Sequence, residues 1–134
     1  MTNESWTLLA ALDAPGLARR LARNYAAKQG ADDATVAAVA LCVSEAVANA
    51  VVHAYREAEQ PGDVEIEARR PNGYLCVYVR DRGQGMSARV DTPGLGIGLA
   101  VIAESATSLE VRRPPLGGTE LAMRFDLTDA AATA

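Results

Sequence analysis

Leu41-Cys42-Val43-Ser44-Glu45-Ala46-Val47-Ala48-Asn49-Ala50-Val51-Val52-His53-Ala54-Tyr55 is the stretch on which the reading of this chain turns. Leu41, Val43, Val47 and Val51 supply the apolar positions of a long helix, which Asp32 or Asp33 can cap and which runs to about Arg56. Inside that apolar helix sit Glu45, Asn49 and His53 at i, i+4 and i+8. Each step of four residues rotates about 40° around a helix, so the three form one polar stripe. Burying such groups bare costs on the order of 1 to 3 kcal/mol each, so they must be paired, hydrated or functional. Taken alone, the segment also fits a solvated helix face. It is not a zincin motif, which needs His-Glu-x-x-His, and the chain has a single histidine.

Working outward, Ser5 to Leu12 reads as a strand, and Asp13 followed by Ala14-Pro15 starts a first helix whose face is Leu17, Leu21 and Tyr25 and which Gly30 ends. Glu57 to Gly62 is a polar turn. Val64, Ile66 and Ala68 then alternate with Glu65, Glu67 and Arg69, the pattern of a strand with one wet face. Pro71-Asn72-Gly73 signals a hairpin, so the near-continuous apolar run Tyr74 to Arg80 pairs antiparallel with that strand. Asp81 to Gly98 is rich in glycine. Leu99 to Ser105 follows as a short helix, Leu109 to Arg113 as a strand, and Pro114 to Gly118 as a turn. In the last strand Leu121, Met123, Phe125 and Leu127 alternate with polar neighbours, and Thr128 to Ala134 is a fraying tail. Helices early and strands late predict an α+β fold, a two-layer α/β sandwich with a mostly antiparallel sheet and helices on one face. The whole chain, 1–134, is expected to be one domain with its core over about 5–127.

Composition sets bounds on function. The chain carries 13 Lys+Arg against 17 Asp+Glu, a formal charge of −4, and no basic block. Direct nucleic-acid partners and anionic membrane surfaces are disfavoured, because both would be repelled. With six aromatic residues in the chain, the core is expected to be Ala, Val, Leu and Ile. The longest apolar run, Val36 to Val43, has eight residues, too few to predict a membrane span. The opening MTNESWTLL lacks a basic region before its apolar residues, so no secretory signal is expected and the location expected is cytoplasmic. Cys42 and Cys76 sit in apolar contexts and read as buried free thiols.

Three further constellations bear on chemistry. Asp81-Arg82-Gly83-Gln84-Gly85 follows the apolar strand, where a carboxylate can accept a hydrogen bond from an exocyclic amine and the glycines let backbone approach a flat ligand. A simple turn would explain it as well. Gly94-Leu95-Gly96-Ile97-Gly98-Leu99 precedes a helix, and exposed N–H groups at a helix start suit phosphate. This is not a dinucleotide fingerprint, since no strand leads directly into it, nor a Walker loop, since Gly-Lys-Ser/Thr is absent from the chain. Gly117-Gly118-Thr119 then enters the last strand, where a hydroxyl can complement a base edge.

In order and spacing these four pieces resemble the Bergerat-fold, or GHKL, ATP-binding family. Glu45-x-x-x-Asn49 is similar to its N-box, Asp81-x-Gly83-x-Gly85 to its G1 box, Gly94-x-Gly96-x-Gly98 to its G2 box, and Gly118-Thr119 to its last box. The string Val43 to Tyr55 most resembles bacterial anti-sigma factors that are also serine kinases. The resemblance implies a protein that binds ATP and Mg²⁺, sequesters a sigma factor and phosphorylates a serine of an anti-anti-sigma partner; it leaves a homodimer open. It implies Asn49 as the Mg²⁺ ligand, Glu45 as general base, and Asp81 with Thr119 at the adenine. Gly83, Gly85 and Met86 would shape the base pocket, and Gly94, Gly96 and Gly98 the phosphate loop. Arg19 aligns with an arginine that grips partners. A non-catalytic module that binds a partner in an ATP-dependent way is the alternative function. One departure stands out: only Met86 to Pro93 separate Gly85 from Gly94, a shorter ATP lid than many relatives carry.

Overall fold

Strand alternation sets the sheet. Val64, Ile66 and Ala68 of β2 (Asp63–Arg69) are buried on one face, as are Leu75, Val77, Val79 and Asp81 of β3 (Tyr74–Asp81), while the intervening residues face away. β3 thus alternates strictly instead of burying a continuous apolar run, because only one face of the sheet is covered. Residues 3–55, 60–83, 95–115 and 117–127 are described in this computed structural model, with the backbone alone described for 95–97. Over them the order of elements is β1 (Glu4–Leu9), α1 (Ala14–Lys28), α2 (Asp33–Asn49) continued by a π-helical turn (Ala50–Ala54), β2, β3, α3 (Leu95–Ser105), β4 (Ser108–Arg112) and β5 (Thr119–Asp126).

The five strands form one sheet in the order β1-β2-β3-β5-β4, with every neighbouring pair antiparallel. The expected two-layer α+β architecture is therefore present. β1 stops at Leu9, short of the predicted Leu12, because Ala10 donates to the Gly62 carbonyl at 2.8 Å and the chain turns before α1. β4 is shifted one residue earlier than expected, and Leu121, Met123, Phe125 and Leu127 are buried as predicted.

The helices differ more from their sequence expectations. Asp32 caps α2 by accepting the Thr35 N–H at 2.8 Å, whereas Asp13 occupies the cap position of α1 in a helical conformation and its side chain makes no cap bond. α1 buries Ala14, Ala18, Ala22, Tyr25 and Ala26, and Leu17 stays 37% exposed. α2 likewise buries Val39, Cys42, Val43, Ala46 and Val47 while Leu41 is 41% exposed. Small side chains allow the two helix backbones to approach closely, so the leucines turn outward. Tyr25 then fills the remaining volume, packed edge-on against Trp6 with ring centroids 6.3 Å apart.

Asp33 to Ala54 form 22 consecutive helical residues, with an 18-residue window of mean hydropathy 1.9, long and apolar enough to cross a membrane, although no linear apolar run suggested it. In the fold α2 is the middle helix, touching α1, α3 and strands β3 and β5, which accounts for its apolarity. Cys42 is buried, its thiol donating weakly to the Ile102 carbonyl at 3.9 Å and raised to about 12 by burial and by nearby Glu45. Cys76 is half-buried and free.

The other face of the sheet has a lattice of charge. Arg80 bonds Glu120 and, at 2.9 Å, Glu67; Arg112 bonds Glu110 at 2.9 Å and Glu120 at 3.1 Å. The Arg69 hydrogen bond holds the Glu67 carboxyl below its usual range against the pull of burial, and Arg80 assists it. Arg69 and Arg80 lie over the Tyr78 ring, and Arg124 over that of Tyr74 at 3.8 Å. Two leucines on opposite sides of the burial divide test this packing. Leu75→Ala, fully buried opposite Phe125, should cost about 2 to 5 kcal/mol in denaturant unfolding. Leu41→Ala should stay within about 0.5 kcal/mol of the wild type.

Candidate functional site

The site grows from the C-terminal half of α2. Glu45 and Asn49 lie one turn apart on the flank that meets α3, where the first turns of α3 bring Gly98 against both. A Cβ added to Gly98 would sit 3.0 Å from Asn49 Oδ1, 3.3 Å from Asn49 Nδ2 and 3.5 Å from Glu45 Oε2. Only a hydrogen on Gly98 leaves this cradle open. α3 begins at Leu95, earlier than the predicted Leu99, so Gly96 and Gly98 belong to its opening turns and not to a loop ahead of it. The helix start, whose first-turn N–H groups have no acceptor within the helix, thereby lies beside the polar end of α2.

Asn49 is only 6% exposed, and its Nδ2 has no hydrogen-bond partner among the described residues. An unmet buried amide of this kind costs about 1 to 3 kcal/mol unless a bound group completes its bonding. Among the described residues no group of three or more His, Cys, Asp or Glu is placed to hold a metal ion. A cation here would depend on Asn49 together with oxygens of a bound phosphate ligand, a donor set that suits Mg²⁺. His53, the third member of the predicted stripe, is also buried, but it lies in the π-helical turn, whose i→i+5 pattern breaks the 40° step.

The second half of the site is the end of β3. Asp81 is buried at 8% exposure and stands in register with Thr119, itself 2% exposed, on β5. Burial pushes the Asp81 carboxyl above the ordinary aspartate range, opposed by N–H groups of Gly83 and Thr119; Gly83 donates to Oδ1 at 2.9 Å. Two close backbone approaches fix this loop. A Cβ on Gly83 would lie 2.0 Å from the Ala54 carbonyl oxygen, and one on Gly118 would lie 2.0 Å from the Asp81 carbonyl oxygen. Gly118 also has φ +87°, which disfavours any side chain there.

Tyr55 joins the two halves. Its hydroxyl donates to the Asp63 carbonyl at 2.8 Å and accepts the Arg82 N–H at 2.9 Å. In the sequence Tyr55 reads as one more residue of the helix string, since nothing local to it announces a partner 27 residues away. Arg19 is exposed on α1 and lies apart from this cluster. Gly85, Met86 and Gly94, with the lid between them, lie outside the described residues. A cavity of about 570 Å³ opens between Thr7, Tyr55, Glu65, Arg80, Asp81 and Arg82; it reaches the acid of the site but takes in neither Glu45, Asn49 nor Thr119.

A buried, unmet amide, a glycine-opened helix start and a buried acid on a glycine loop form an arrangement able to hold a phosphate at one end and a base at the other. Residues 8–125 match the model of the histidine kinase-like ATPase domain. The chain belongs to the histidine kinase-like ATPase family. Membership implies ATP binding. Among relatives, it is 35% identical over 103 residues to the sensor histidine kinase PdtaS of Mycolicibacterium smegmatis, covering 72% of this chain and 20% of that protein. It is 38% identical over 58 residues to the sensor histidine kinase YesM of Bacillus subtilis, covering 42% of this chain and 10% of that one.

Among solved structures, the RsbU and RsbW domains of Rv1364c from Mycobacterium tuberculosis align with TM-score 0.75 and 26% identity, covering 95% of this chain and 33% of that one. The histidine kinase domain of the blue-light activated histidine kinase from Erythrobacter litoralis EL346 shares the fold, with TM-score 0.61 and 21% identity over 89% of this chain and 64% of that one. The chain thus spans a third or less of PdtaS, YesM and the Rv1364c chain.

The glycine contacts give a direct check of the family site. Gly83→Ala, driven into the Ala54 carbonyl, should lose about 1 to 3 kcal/mol of stability and speed amide exchange over residues 81–83. Gly16→Ala, with nothing within 4 Å of its Cβ and a helical position, should be neutral or stabilising by about 0.5 to 1 kcal/mol.

Proposed function

We propose that this ATP-binding domain is an anti-sigma regulator that phosphorylates a serine of an anti-anti-sigma partner and sequesters a sigma factor in the cytoplasm. The observation that carries this reading is the juxtaposition of Glu45 and Asn49 at Gly98, which sets a carboxylate beside the place where a terminal phosphate would meet the helix start. Likeness to a chain that contains an RsbW domain supports the regulatory side of the reading. A bound Mg-ATP supplies the phosphoryl group and the counter-charge for its transfer. Asn49 would hold the metal through its amide oxygen, Asp81 and Thr119 would take the adenine edge, and the glycines of α3 would face the phosphates. Glu45 would accept the proton of the attacking serine hydroxyl as its oxygen bonds to phosphorus and ADP departs.

His53 is 5% exposed within the π-helical turn, so it is not itself placed as the group that receives the phosphoryl. Arg19 on the exposed face of α1 is the proposed grip on the protein partner.

In calorimetry with Mg²⁺, Asn49→Ala should abolish measurable ATP binding, and wild-type affinity in that variant refutes the metal assignment. Glu45→Ala should keep ATP affinity and lose about 10²-fold or more in transfer to a cognate anti-anti-sigma protein. ATP binding by the wild type without any serine phosphate would instead favour the non-catalytic module. Acidification should also weaken ATP binding, because Asp81 must be ionised to accept from the adenine amine. Its raised pKa places the loss at a higher pH than an ordinary aspartate would, and Asp81→Asn should remove that pH step.

A further inference from the structure

We infer that Tyr55 is the positioning residue for adenine recognition, tying the metal-bearing helix to the loop that presents Asp81; the inference rests on the ATP-binding reading of this site. The phenol uses both of its capacities. It gives its proton to the Asp63 carbonyl at the start of β2 and takes the Arg82 N–H, the peptide directly after Asp81. Its ring lies against Gly62, where an added Cβ would sit 2.5 Å from Cζ, so on that side the hydroxyl is held in place. One residue earlier, the Ala54 carbonyl abuts Gly83, and Gly83 donates to Asp81 Oδ1.

The end of the π-helical turn therefore touches the Asp81–Gly83 loop twice, through a hydrogen bond from Arg82 to Tyr55, the residue just after the turn, and through packing of Ala54 on Gly83. The direction in which the carboxylate meets a base is set from α2, the same helix that carries Asn49. A hydrogen bond to an exocyclic amine weakens steeply with angle and distance, so a small drift of the loop is felt at the base. Neither Glu45 nor Asn49 nor Gly98 bonds Tyr55, so the phosphate end should be indifferent to the phenol.

The test compares ATP, inosine triphosphate, which lacks the amine, and inorganic tripolyphosphate, each with Mg²⁺ and the full chain. Tyr55→Phe should weaken ATP about tenfold while the other two shift by less than about twofold, so that the preference for adenine collapses. Without nucleotide, the same variant should lose protection of the Arg82 amide in hydrogen exchange. Gly62→Ala, which displaces the ring and keeps the hydroxyl, should give the same pattern and serves if the phenylalanine variant does not fold. An equal loss for all three ligands, or unchanged ATP affinity, overturns the positioning role. A wild type that binds tripolyphosphate and ATP with equal affinity overturns the adenine reading, and the inference with it. Unchanged Arg82 protection in a variant with wild-type ATP affinity overturns the inference alone.

Discussion

Helix α2 must be apolar enough to occupy the middle of the helical layer and polar enough at one end to face a ligand. Val43 and Val47 are fully buried, and between and beyond them the same helix presents Glu45 and the buried amide of Asn49. Ordinary core logic would replace Asn49 with an apolar residue, since an unmet amide is costly in a dry interior. The helix can keep it because α3 arrives as glycine at the point of contact, leaving space where a side chain would have closed the site. A π-helical turn then ends the helix, bringing Ala54 and Tyr55 onto the loop after β3.

The second half of the site relies on backbone approaching backbone. Gly83 lies against Ala54 and Gly118 against Asp81, so the acid-bearing loop is held from two sides without using side chains that could intrude on a ligand. Two peptide N–H groups, of Gly83 and Thr119, stabilise the buried carboxylate among the described residues, and it keeps lone pairs for a further donor. The proposed reading of a base by Asp81 and Thr119 would also suit a chain with so few rings, of which Tyr25 and Phe125 are spent in the core and Tyr74 and Tyr78 under arginines.

The formal charge of −4 acquires a structural distribution. Acids and arginines pair across the open face of the sheet, where Glu67, Arg80, Glu120 and Arg112 form a continuous lattice. Such pairs, partly exposed, add modestly to stability, and their more evident effect is to keep a bare sheet face hydrated and self-neutralised. α1, by contrast, carries Arg19, Arg20 and Arg23 on its exposed side and no acidic residue. The net charge alone conceals that separation.

Local pattern was enough to read much of this molecule. Alternation in β2 and β5, the Asp32 cap, the hairpin at Asn72-Gly73 and the order of Glu45, Asn49, Asp81 and the glycines are one-dimensional signals, because a strand or helix repeats within a few residues. The same signals placed Tyr25, Val43 and Val47 correctly in the core but chose Leu17 and Leu41 over the alanines, since hydrophobicity does not say how near a second helix will come. They also started α3 four residues late, because glycine weakens helical propensity and only packing against α2 offsets the loss. Tyr55 was invisible as a site residue for a related reason. Its partners, Asp63 and Arg82, are brought together by the pairing of β2 with β3, and no property of the residues themselves encodes that meeting. Sequence alone determined which chemistry the chain carries and on which elements; the tertiary structure decided which backbones touch, because steric approach depends on segments distant along the chain.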